Sequence, residues 1–192
     1  MQSEKQEIIK EKAMEIIGSD GMGALNIANL SAKIGVSDGA IYRHFDSKIS
    51  IIKEILNDLF FQVSDQMMDE INKEGSAENK LRIVINLLYG LFEKQPAYVS
   101  LLFSEEYFVS DEDIFYLMHT IVNMMQLYIR QILEKGVDED QIKRKINTNH
   151  IALIIMGSMR ITVLNWRLKR SNAGLKDSGV KLLNSILDLI MN

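Results

Sequence analysis

Outside one stretch, the side chains that could do chemistry are sparse. The three histidines, His44, His119 and His150, stand far apart, with no H-x-x-x-H pair and no Glu three positions ahead of His119 or His150. Neither a zinc-protease pattern nor a helical di-metal pattern is therefore present. There is no phosphate-cradling Gly loop and no Gly-x-Ser-x-Gly elbow. With 0 Cys there is no thiol nucleophile, thiolate metal site or disulfide framework. These residues point to no enzyme, no metal and no cofactor. The exception is NIANLSAKIGVSDGAIYRHFDSK, residues 26–48, in which Asp38, Gly39, Tyr42, Arg43 and His44 share the outer face of a short helical segment, with Lys48 just beyond. A phenol, a guanidinium, an imidazole and an ammonium in one place suit the binding of an anionic surface, not bond-making.

Two short helices must position that face. Asn26 caps a helix predicted over Ile27 to Ile34, Gly35 ends it with a positive φ, and Ser37 caps the next. Leu30, Ile34, Val36, Ile41 and Phe45 are expected to meet in one miniature core, with the small Ser31 where the helices cross. Helices of about two turns are too short to stand alone. Joined by Gly35-Val36-Ser37, they match a helix-turn-helix, whose second helix lies in a DNA major groove.

The rest of the chain reads as more helix. One Pro in 192 residues, long stripes of 3.6 period and no alternating β-branched runs predict an all-α protein. Ser3 and Gln6 form a capping-box pair ahead of Ile8, Ile9, Ala13, Ile16 and Ile17. Asp46 precedes a helix of about five turns from Ile49 to about Asn72. Stripes follow over Leu81 to Phe92, ended by Gln95-Pro96, and over Ile114 to Ile132, opened by Ser110 and Asp113 and ended by Gly136. The segments from Asn147 to Arg170 and from Val180 to Ile190 are apolar on more than one face, which marks them as a dimer interface, with Met159 and Val163 on its seam. The longest apolar run, Ile151 to Gly157, falls far short of the roughly 20 residues of a membrane span. The charged N-terminus lacks a signal-peptide core. A cytoplasmic protein is expected. A net charge of −4 leaves no global attraction for a polyanion, so such a partner must meet a local patch.

Ile34-Gly35-Val36-Ser37, Gly39, Tyr42, His44-Phe45 and Lys48 follow in register the pattern A-G-V-S-x-G-x-x-Y-x-H-F-x-x-K. In these residues the sequence resembles the DNA-binding domain of the TetR (tetracycline repressor-like, TetR/AcrR) family of bacterial transcriptional regulators. It departs at Leu30-Ser31, at Ile34 and at Asn26, where Ile-Ala, Ala and Thr are usual; none of these removes a DNA-facing group. The resemblance implies a three-helix DNA-binding domain over residues 1–48 and a helical ligand-binding and dimerisation domain over 49–192. It implies phosphate contacts from Tyr42, His44 and Lys48, with Ser37 and Asn26 adding donors. Base reading would fall to Asp38, Gly39, Ala40 and Arg43, of which Arg43 best suits guanine. Lys5, Lys10, Lys12, Lys33, Arg43 and Lys48 against Glu4, Glu7, Glu11, Glu15, Asp20, Asp38 and Asp46 leave residues 1–48 at −1. The acids crowd the first helix, which is expected to face away from the duplex.

The second domain is rich in aromatic residues and Met, most of which a bundle interior would need anyway. The resemblance adds a cavity, for which Phe60, Phe92, Phe103, Tyr107, Met118, Met125 and Arg160 are the candidate lining. Arg160, set in an apolar run, would bind an anionic group or pair with Glu105 or Glu106. The implied function is a homodimeric repressor, released from a palindromic double-stranded operator when a small, largely apolar effector binds. The alternative is a DNA-binding dimer regulated by a protein partner.

Overall fold

The computed structural model describes residues 2–109, 111–169 and 174–192, with the side chains of Gln2, Ser3 and Lys169 excepted. The caps expected at Ser3 and Ser110, and the end of the basic segment at Lys169 and Arg170, lie outside the described residues. Among those described the protein is all-α, with no strand and an isolated bridge between Ile142 and Met191. Its helices are α1 (Gln2–Asp20), α2 (Ile27–Ile34), α3 (Asp38–Tyr42), α4 (Lys48–Asn72), α5 (Ala77–Lys94), α6 (Ala97–Leu102), α7 (Glu112–Asp138), α8 (Thr148–Lys169) and α9 (Leu175–Ile190), with 3-10 turns at Met22–Ala24 and Glu105–Tyr107. They form two compact units, residues 1–61 with 95–120 and residues 62–94 with 121–192.

In the first unit α1 buries Ile9, Ala13, Ile16 and Ile17 and packs on α2 and α6. Gly18 lets Ala97 approach to ordinary contact. Lys10 of α1 is buried and bonds Asp58 of α4 and Glu7 of its own helix. Burial disfavours its charge, but those hydrogen bonds outweigh that and hold its pKa above the ordinary value. Lys53 of α4 bonds Asp113 at 2.7 Å and lies 3.7 Å from Asp111. Asp111 in turn caps α7 by accepting from the Ile114 amide at 3.0 Å. Ser47, next after Asp46, caps α4: Ser47 and Ser50 exchange amide-to-hydroxyl bonds at 3.1 Å.

In the second unit α5 packs on α9, and α9 on α8. Tyr89 lies against Gly179, and burial raises its pKa despite a bond to Thr162. Lys80, buried on α5, donates to the Ile71 carbonyl at 2.6 Å near the end of α4. That bond places a cation at the negative end of the helix dipole.

Two expectations change here. Gly136 does not end a helix; α7 continues to Asp138, and Gly136 is a buried point of close approach to Ala77 and Ile142. Met159 and Val163 are not on an open seam, for both are buried in the unit's own core. The uncovered apolar stripe of α8 is Ile154, Gly157, Ile161, Leu164 and Leu168, with Leu153 beside it. Residues 148–168 are also long and apolar enough by composition to cross a membrane, with mean hydropathy 1.3, which the short uninterrupted run did not suggest. Arg160 interrupts that segment, and Ala152, Ile155, Met159 and Val163 pack inward.

Candidate nucleic-acid interface

The helix-turn-helix is held together locally. The Asn26 carboxamide accepts from the Asn29 amide at 2.8 Å, starting α2. Gly35 ends α2 at φ 79°, where its amide bonds the Ser31 carbonyl. Only glycine enters this left-handed region without strain. Leu30, Ile41 and Phe45 fill the miniature core. Val36 does not join them: it is 41% exposed, and Ile34 is half-buried. The turn therefore presents an apolar edge to solvent.

Ser31, buried at the crossing, donates its hydroxyl to the Asp38 carboxylate and to the Ala28 carbonyl at 3.1 Å. Asp38 thus ties α3 to α2 while remaining exposed. Ser37 sits at the start of α3 and its carbonyl accepts from Ala40, but its side chain makes no cap bond, unlike the expected cap. Gly39 is exposed and Ala40 half-buried. Tyr42 at 53% exposure, Arg43, and Lys48 in the first turn of α4 reach solvent. His44 is half-buried; Gln6 donates to its carbonyl at 3.4 Å, and its Nδ1 is buried with no hydrogen-bond partner among the described residues.

The charges sort by helix. Glu15 of α1 bonds Lys12 at 2.6 Å and Lys33 of α2 at 3.3 Å. The Lys12 hydrogen bond, aided by Lys33, holds the Glu15 carboxyl below its ordinary value. Glu7 is bonded by Lys10 at 2.6 Å. Part of the acid on α1 is thereby neutralised within the protein, whereas Lys5, Arg43 and Lys48 make no ion pair among the described residues. Lys5 is the residue that sequence reading passed over. It lines one pocket with Arg43 and His44, so the start of α1 lies beside α3. Its place at the open end of an acid-rich helix was the available signal.

The candidate ligand residues divide between the units. Phe60, Phe103, Tyr107 and Met118 belong to the first, and Phe92, Met125 and Arg160 to the second. Phe92, Met118 and Met125 are buried, Phe60 and Phe103 half-buried. Tyr107 is exposed, its hydroxyl over Gly23, and Arg160 is on the outer side of α8.

Exposed Tyr42, Arg43 and Lys48, on and just beyond a short two-helix motif, make a surface suited to an anionic partner, and the family matches identify the class as a DNA-binding transcriptional regulator. Residues 9–55 match the family profile of bacterial regulatory proteins of the tetR family, and residues 53–192 match that of the YsiA-like protein C-terminal region. The chain belongs to the TetR family. It is 25% identical over 186 residues to the fatty acid metabolism regulator protein of Bacillus subtilis (strain 168), covering 96% of this chain and 92% of that one. The fold matches fatty acid degradation regulator FadR from Bacillus halodurans with TM-score 0.82 at 18% identity, over 95% and 94% of the two chains. It matches FadR from Bacillus subtilis in complex with stearoyl-CoA with TM-score 0.77 at 23% identity, over 95% and 96%. These relatives are regulators, a non-enzymatic kind of protein.

Proposed function

We propose that the protein is a cytoplasmic repressor that grips a palindromic operator as a homodimer and leaves it when an acyl-CoA thioester binds the C-terminal region. Residues 1–48 read the operator, and residues 49–192 dimerise and sense. Tyr42, His44 and Lys48 hold phosphates with help from Asn26 and Ser37, while Asp38, Gly39, Ala40 and Arg43 face the bases, Arg43 foremost. The observation that carries the dimer is the stripe of Ile154, Gly157, Ile161, Leu164 and Leu168, an exposed apolar row at helical spacing on α8. A patch of that kind in a soluble regulator marks an interface. Two copies joined there would offer recognition helices about 34 Å apart to an inverted repeat.

The ligand class rests on the relatives named for fatty acid metabolism and on the stearoyl-CoA complex of one of them. Within the second unit, Phe92 and Met125 supply apolar and aromatic contacts for the acyl chain, and Arg160 a cation for a phosphate of the CoA moiety. Ligand and operator oppose each other by one coupling factor, about 1 to 3 kcal/mol in typical cases. The second reading, regulation by a protein partner, draws on the cavities described inside the second unit, which hold only about 20 and 10 Å³. Titrating the operator complex with stearoyl-CoA, free CoA and stearate tests the choice. Release by the thioester alone supports the proposal, and retention at saturating thioester supports the partner.

A further inference from the structure

A pocket of about 250 Å³ opens on the DNA-binding motif itself. Its floor is apolar: Ile8 and Ile9 from α1, Ile34 and Val36 from the turn, Ala40 and Ile41 from α3. Its rim carries Lys5, Arg43 and His44, and no Asp or Glu lines it among the described residues. Two further observations set it apart from a surface dimple. Ile8 and Val36 are 42% and 41% exposed, so apolar area is left in water at the mouth. The His44 Nδ1 is buried without a hydrogen-bond partner among the described residues, which costs free energy until something bonds it.

From this geometry we infer that the pocket is a binding site for a small amphipathic carboxylate, with the apolar body on Ile8, Ile34, Val36 and Ile41 and the carboxylate among Lys5, Arg43 and His44. The volume lies just under the roughly 300 Å³ at which ordinary small-molecule pockets begin. The ligand is therefore of hexanoate or benzoate size, not a long acyl chain. The charge of the rim selects an anion over the matching alcohol, since hydrogen bonds to ionised groups are about twice as strong as neutral ones. Carrying its hydrogen on Nδ1, the imidazole would donate there to a carboxylate oxygen, the missing partner.

The site is separate from the effector site proposed above and would act by another route. Arg43 and His44 belong to the face assigned to DNA, so an anion seated between them competes with the operator directly. That consequence rests on the proposed DNA-binding face; the binding itself does not.

The test is a titration of the full-length protein, labelled at its Ile and Val methyl groups, with sodium hexanoate at fixed ionic strength, followed by NMR. Hexanol and sodium chloride serve as controls. The inference predicts saturable shifts at Ile8, Ile9, Ile34, Val36 and Ile41, with hexanol at least about tenfold weaker, in keeping with a charge-assisted hydrogen bond. Lys5→Gln should weaken hexanoate several-fold, and Ile8→Glu, at an exposed position, should abolish the shifts while leaving the remaining methyl spectrum unchanged. Hexanol binding as well as hexanoate, shifts indifferent to both substitutions, or no shift at these methyls would overturn it. In a parallel arm hexanoate should displace a DNA duplex from the wild type. If the methyls shift but the duplex stays bound, the site stands and the assigned DNA face fails; if the duplex binds but the methyls do not shift, the reverse holds.

Discussion

The junction around Gly136 offers a substitution whose cost can be worked from distances. Gly136 lies inside α7, where its carbonyl accepts from the Gln141 and Ile142 amides at 2.9 and 3.0 Å. The Gln141 side chain in turn accepts from the Ala77 amide at 2.7 Å, joining α5 to the end of α7. A Cβ at 136 would stand 2.6 Å from the Ala77 Cβ and 2.7 Å from the Ile142 Cδ1. Carbon atoms in contact prefer about 3.5 to 4.0 Å, so the helices must part by about 1 Å. The Ala77 Cβ is fixed to its backbone and cannot rotate aside. Overpacking of this kind costs about 1 to 3 kcal/mol, and the rigid neighbour puts this case near the top. Alanine in a helix interior returns about 1 kcal/mol relative to glycine. The net loss for Gly136→Ala is then about 2 kcal/mol, or a Tm lower by about 4 to 8 °C in a chain of this size. Thermal melts followed by circular dichroism measure it. The double variant Ala77→Gly/Gly136→Ala removes the clash with residue 77, leaving that with the Ile142 side chain, and should recover part of the loss, so the two changes should be non-additive. A Tm for Gly136→Ala at or above wild type, or strict additivity, would refute the packing argument.

Three other outcomes follow from the geometry. Tyr42→Ala and Lys48→Ala should each weaken binding to all duplexes, Lys48→Ala also lowering the salt slope by about 0.9 for each phosphate it no longer neutralises; fluorescence anisotropy at several salt concentrations reads both, and unchanged slopes would reject the phosphate face. Ile161→Glu and Leu164→Glu should leave helicity intact and turn a dimer into monomers in analytical ultracentrifugation, and persistent dimers would place the interface elsewhere. The hydrogen bond from Lys53 holds the Asp113 carboxyl below its ordinary value, so its stabilisation is present above the unfolded pKa of about 4 and is lost as pH falls through the depressed folded value. Wild type and Asp113→Asn should therefore differ in urea midpoint at pH 7 and converge in acid; a constant gap would contradict the pairing.

Much of the fold was legible because its signals are local. The bounds of α2 followed from the Asn26 cap and the left-handed Gly35, which act within a few residues. The resemblance carried the family, since it rests on side chains in one register between Ile34 and Lys48, and with it the proposed DNA face. What was missed required tertiary neighbours. Nothing in the sequence around Gly136 distinguishes a helix stop from a glycine kept small by Ala77 two helices earlier. An all-round apolar helix such as α8 does not declare which face meets its own core, so Met159 and Val163 were set on an outward seam, whereas Ile154, Ile161 and Leu164 are the exposed residues. Val36 has a core residue's chemistry but a turn's exposure. The start of α4 was placed only after Asp46, and the reciprocal bond between Ser47 and Ser50 fixes the cap.

The most direct test of the central claim is selection of bound sequences from a random duplex-DNA pool at fixed salt, with the enriched duplex then titrated against wild type and Arg43→Ala. A sequence-specific dimer of this architecture enriches an inverted repeat with half-sites about one helical turn apart, and Arg43→Ala loses preference within each half-site. Binding that enriches no repeat, or an enriched repeat on which Arg43→Ala keeps its full preference, would contradict the account.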